Sequence, residues 1–246
     1  MGRLIFSWSL LESLKVFYIW DKSQYIDYLF YYILHYSFLL PPFAYLIFFR
    51  KIGLDKKILT LVYYCVSIFL YLFLQYLLPR TIQNPLFTLL EFTFFATLVF
   101  QQLKLKKQKM LLIMLSLIFF FYQAFYFFSS HKERYDSIPI GVEAILVFIF
   151  IFFFLYEQIK DAKDLPIYDN YFFWISIGLF IYLGGSFFIY LSANILSSKE
   201  IMKYWFFTYI VEIIKNLLFS VAILMYSKNP NNRKSNQVIP NLDFML

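Results

Sequence analysis

Seven long apolar runs, each closed off by charged residues, divide this chain. They cover about Tyr28 to Phe49, Ile58 to Leu78, Pro85 to Leu103, Met110 to Phe128, Pro139 to Leu155, Tyr171 to Leu196 and Trp205 to Met225. A helix of roughly 18–20 apolar residues matches the hydrocarbon thickness of a bilayer. The runs do not alternate apolar and polar positions as the strands of a membrane barrel do. The pattern therefore predicts an all-α polytopic membrane protein, a seven-transmembrane-helix bundle over residues 28–226. Pro41 and Pro42 fall inside the first run and predict a break in that helix, because proline cannot donate to the hydrogen-bond ladder. Ahead of the bundle, residues 1–27 read as an amphipathic interfacial segment with Trp8 and Trp20 at headgroup level. A transmembrane eighth span over residues 4–20 is the alternative. No small-residue cleavage site marks a secretory signal peptide there. The Asn-, Pro- and Lys-rich stretch 227–246 reads as a disordered cytoplasmic tail.

Composition agrees with the pattern. The 246 residues are 61% hydrophobic, against roughly 45–50% in soluble domains. The net charge of +7 is a membrane signal and does not point to nucleic acid, because the basic residues sit in short loops between spans. Arg50, Lys51, Lys56 and Lys57 in one connection, and Lys104, Lys106, Lys107 and Lys109 in another, load the same side. The positive-inside rule then places that side in the cytoplasm, giving N-out/C-in orientation.

The chemistry lies in the few polar residues that interrupt the runs. The seventh run carries Glu212, Lys215 and Asn216 near its centre, where an unpaired charge costs several kcal/mol. On a helix Thr208, Glu212, Asn216 and Ser220 share one face, so that face must look into protein. Glu91 and Glu143 read as lying a few residues in from the outer ends of the third and fifth spans. Gln75, Gln123 and His35 fall toward the same side. The expectation is an outward-facing polar pocket floored by Glu212 and Lys215, binding a small ligand or proton, above a nearly featureless apolar plug. Each residue also has a plain reading. Glu212 and Lys215 make an i,i+3 ion pair, Gln75 and Gln123 supply interhelical hydrogen bonds, and His35 is a hydrogen-bonded helix residue. Gly184 and Gly185 read as a hinge or as a close-packing notch in the sixth span.

Absent motifs narrow the field. There is no HExxH, GxSxG or phosphate-binding glycine loop, so no enzyme activity, cofactor or metal is expected. His35 and His131 cannot build a metal site unaided, and the lone Cys65 forms no internal disulfide. A buried lysine on the seventh span invites comparison with retinal proteins, but the third and sixth spans show no counter-ion or aromatic signature of microbial rhodopsins.

The pairing of YFFWISIGLFIYLGGSFFIYL with YIVEIIKNLLFSVAIL resembles a Bacteroidota family of small seven-span inner-membrane proteins, most clearly from Tyr171 to Met225. Some members look like membrane halves of sensory systems. The resemblance implies a receptor or sensor module that signals through a separate membrane or cytoplasmic partner. The rival expectations are a small-solute or proton-coupled transporter and a non-catalytic scaffold subunit of an envelope complex.

Overall fold

The computed structural model describes residues 22–129, 137–160, 167–193, 195–196 and 198–228. Residues 1–21 of the segment expected over 1–27, the alternative eighth span over 4–20, and residues 229–246 of the tail expected over 227–246 lie outside the described residues. Within them the chain forms helices and no strands. In chain order these are α1 (Lys22–Ser37), α2 (Leu40–Ile52), α3 (Lys56–Leu74), α4 (Arg80–Phe100), α5 (Lys106–Phe128), α6 (Ser137–Lys160), α7 (Tyr171–Ser192) and α8 (Ser198–Lys228). Short 3-10 turns follow α3 and precede α7. Seven spans are long and apolar enough to cross a membrane, the first being α1 and α2 together. The described chain is thus an all-α, multi-pass membrane bundle.

Sequence explains the element ends. Pro41 and Pro42 open α2, where the missing N–H groups cost nothing, and the first span breaks just before them. At that break Ser37 Oγ donates to the Leu34 carbonyl at 2.7 Å. Asp55 caps α3 by accepting from the Lys57 amide at 2.8 Å, and Asn170 caps α7 by accepting from Phe172 at 3.0 Å. The N-terminus of α5 has no capping side chain of its own. Glu157, near the end of α6, supplies the anion: its two oxygens accept from the amides of Lys104 (2.7 Å) and Leu105 (2.9 Å). A buried carboxylate at a helix N-terminus favours the dipole and satisfies orphan donors together. Glu157→Ala should lower unfolding free energy by about 2 kcal/mol, read from thermal unfolding in detergent.

Packing closes the spans into a ring. α8 packs along α7 and against both halves of the first span, α3 bridges α2 and α4, and α6 links α4 to α7. α5 sits at the rim against α4 and α6, and it is the least buried span. Large apolar side chains such as Leu46, Phe121 and Phe188 cover the outer surface, as a lipid-facing exterior requires. Inside, Phe92 of α4 lies 4.2 Å from Phe119 of α5 and 6.2 Å from Phe150 of α6, ring centre to ring centre. These rings make one floor across three helices.

Two expectations change. The third span begins a turn earlier than Pro85, which sits inside α4, so Glu91 lies at mid-helix and not near an end. The apolar half was expected to be featureless, yet the end bearing the basic loops holds a buried polar network. Tyr226 donates to Asp55 Oδ2 at 2.8 Å, and its ring meets Tyr171 edge-on at 4.9 Å. Gln102 Nε2 in turn donates to Tyr171 Oη at 2.5 Å. The reason is local: helix ends leave backbone groups that polar residues from neighbouring helices must satisfy.

Candidate functional site

Five spans meet around Lys215. A lysine in the middle of a membrane helix must find acceptors, and here it finds them on three helices. Its Nζ donates to Tyr64 Oη of α3 at 2.6 Å and to Glu212 Oε1 one turn earlier on α8 at 3.3 Å. Glu91 Oε1 of α4 lies 3.7 Å away. Glu91 is itself held at both oxygens, accepting from Tyr64 Oη at 2.7 Å and from Tyr182 Oη of α7 at 2.8 Å. The Lys215 ammonium also sits 3.9 Å from the centre of the Tyr182 ring, with Tyr64, Phe38 and Phe95 rings between 5.1 and 5.8 Å. Aromatic faces stabilise a desolvated cation. Lys215 is fully buried and Glu91 nearly so, whereas the Glu212 side chain keeps 12% of its surface.

This geometry makes a chain of charge-assisted hydrogen bonds, Lys215 to Tyr64 to Glu91, with Tyr182 closing on Glu91 from the other side. Such bonds are stronger than neutral ones in a low-dielectric interior. The two carboxylates are not equivalent. Glu91 is clamped by two phenols and shares the lysine; Glu212 has the lysine as its hydrogen-bond donor and a partial opening. On the third and sixth spans, Glu91 and Tyr182 serve as ion-pair and ring partner of Lys215. Both residues were on view, but their convergence depends on the depth of Glu91 and on which of 22 tyrosines faces inward.

The polar stripe on α8 faces protein from Thr208 to Asn216, and Ser220 beyond it is half-buried and donates to the Asn216 carbonyl at 3.0 Å. Thr208, Glu212, Lys215 and Asn216 are buried, and Asn216 Nδ2 donates to Ser37 Oγ at 2.8 Å, tying α8 to the break in the first span. The sequence reading overlooked Ser37. Gly185 of α7 is a packing notch, since a Cβ there would meet Val211 Cγ1 of α8 at 2.6 Å. Gly178, two turns earlier, approaches the Lys215 carbonyl, and its Cβ would lie 3.4 Å from that oxygen. Gly184 has only Phe148 nearby, at 3.8 Å. α7 runs unbroken through both Gly184 and Gly185.

The remaining predicted residues separate into two groups. Gln75 and His35 make local bonds: Gln75 Nε2 donates to the Leu72 carbonyl at 3.0 Å, and His35 Nδ1 lies 2.9 Å from the Tyr31 carbonyl. Neither contacts the lysine network. Glu143 and Gln123 are buried on α6 and α5. Among the described residues no group of three or more His, Cys, Asp and Glu side chains is arranged to hold a metal ion.

Compared with protein-family models, with curated proteins and with solved structures, the chain matches none.

Proposed function

We propose that this chain is a receptor- or sensor-like protein of a bacterial inner membrane, in which the Lys215 network is the switch. The observation that carries the reading is one fully buried ammonium placed between two carboxylates on different helices, at 3.3 and 3.7 Å. With both carboxylates ionised, one lysine cannot neutralise the pair, and surplus charge in the hydrocarbon region is costly. Glu212 has the partial opening, so a proton or a cationic ligand group arriving there cancels the surplus. Lys215 is then left to Glu91. That change of partners alters how α8 lies on α7, because the lysine and Gly178 share the same contact zone. The signal leaves through the basic loops to a separate partner. A ligand drives such a shift only by binding one arrangement better than the other.

Trp205 reports the change from within α8, where its ring meets Tyr190 of α7 edge-on at 5.6 Å. In a variant with Trp8, Trp20 and Trp174 replaced by Phe, Trp205 emission should shift between acidic and neutral pH. Glu212→Gln should abolish that shift while the protein still inserts in the membrane. A flat response in the parent variant would remove the switch.

Proton-coupled transport is the second reading. It draws on buried polar groups at three levels of the bundle: Gln123 and Glu143, the Lys215 network, and Asp55 with Glu157 at the basic end. Proteoliposome flux separates the two. Proton or solute movement that Glu212→Gln abolishes supports the carrier, and its absence alongside a Trp205 response supports the sensor.

A further inference from the structure

The aromatic floor of Phe92, Phe119 and Phe150 has polar groups on one side. Gln123 follows Phe119 by one helical turn on the same face of α5, and Thr88 precedes Phe92 by one turn on α4. Glu143 precedes Phe150 by two turns on α6. Because α5 runs opposite to α4 and α6, all three are displaced toward the same end of the bundle. At ~1.5 Å per residue, Gln123 and Thr88 lie about 6 Å, and Glu143 about 10 Å, beyond the rings. They are 1%, 1% and 2% exposed.

Two of the three have polar atoms with no hydrogen-bond partner among the described residues: Gln123 Oε1 and Nε2, and Glu143 Oε1. Thr88 Oγ donates to the Asn84 carbonyl at 3.1 Å and keeps acceptor capacity. A buried amide with neither atom satisfied is costly, and two such side chains at neighbouring depths call for a shared guest. Charge identifies its class. Glu143 has no cation within ion-pair distance among the described residues, and Lys215 is committed to Tyr64, Glu212 and Glu91. Three acceptors, Glu143 Oε1, Gln123 Oε1 and Thr88 Oγ, match the three N–H donors of a primary ammonium. Gln123 Nε2 then needs an oxygen on the same guest.

We infer that Thr88, Gln123 and Glu143 form a second polar site, separate from the Lys215 network, for the primary ammonium group of an amino alcohol. The group comes either from a free molecule such as ethanolamine or from an aminophospholipid headgroup. The site lies about 8–9 Å in from the ends of α5 and α6. A headgroup drawn inward reaches that depth, and so does a small solute.

The test uses the full chain in detergent, depleted of lipid. Ethanolamine should raise its thermal stability in a saturable manner, and tetramethylammonium, which has no N–H, should not. Glu143→Gln and Gln123→Leu should each weaken ethanolamine binding at least tenfold in calorimetric titration. Each variant must first elute as the wild type does and melt cooperatively within a few degrees of it, which shows that it is folded whether or not the Lys215 network acts as a switch. Native mass spectrometry distinguishes the sources. Phosphatidylethanolamine retained in preference to phosphatidylcholine, and lost in Glu143→Gln, assigns the lipid; ethanolamine binding without such retention assigns the free amine. Ethanolamine binding undiminished in both variants would overturn the site. So would a wild type that neither binds ethanolamine nor retains the aminophospholipid.

Discussion

Replacing Lys215 by Met should produce the largest loss of stability of any single substitution in the bundle, about 3–5 kcal/mol. The side chains are similar in length, so little packing is lost; what remains is Glu91 and Glu212 without their cation, and Tyr64 Oη without its donor. In a bundle of this size the melting temperature in detergent should fall on the order of 10 °C. Membrane insertion should persist, because removing a charge makes the seventh span more apolar. Glu212→Gln should cost much less, since Glu91 still holds the lysine and Glu212 is the less enclosed of the two carboxylates. Glu91→Gln should cost more than Glu212→Gln, and an equal loss in those two would mean that the carboxylates are equivalent, which the hydrogen-bond pattern denies.

Gly185→Leu should be the next most damaging. Its Cβ would stand 2.6 Å from Val211 Cγ1, and valine, branched at Cβ, has few rotamers in which to retreat. Overpacking of a tight helix contact costs about 3 kcal/mol, and close approach through small residues is a main source of helix association in membranes. Val211→Ala in the same chain should recover part of the loss. Gly184→Ala, with its nearest neighbour at 3.8 Å, should be nearly silent. Thermal unfolding of the three variants reads all of this, and equal damage at Gly184 and Gly185 would contradict the assigned contact.

What was legible in the sequence follows from how membranes punish exposed polarity. Seven apolar runs gave seven spans, because a run long enough to cross a bilayer has few other uses. The stripe on α8 was legible for the converse reason: Glu212, Lys215 and Asn216 cannot face lipid, so their burial followed from their position. Pro41 and Pro42 likewise announced the break that Ser37 and Asn216 then bridge. Depth was harder. Placing the start of α4 a turn late moved Glu91 away from Lys215 and concealed their pairing. Tyr64 and Tyr182 were hidden for another reason, since a tyrosine in an aromatic-rich run carries no mark of whether its hydroxyl meets a carboxylate or a headgroup. Gly178 gave no signal without its neighbour on α8. Glu157 looked like a boundary residue, and only the fold brings it to the uncapped end of α5. Gln75 and His35 show the opposite case, in which a polar side chain inside a span bonds a carbonyl of its own segment, as the plain reading of His35 expected.

The account depends on Lys215 and Glu91 being joined across the bundle, and a double-mutant cycle measures that join. Unfolding free energies of the wild type, Lys215→Met, Glu91→Gln and the double variant are needed under one detergent condition. The network predicts that the double variant is little worse than Lys215→Met alone, with a coupling of about 1–3 kcal/mol. Losses that simply add, within about 0.5 kcal/mol, would show that the two side chains do not meet.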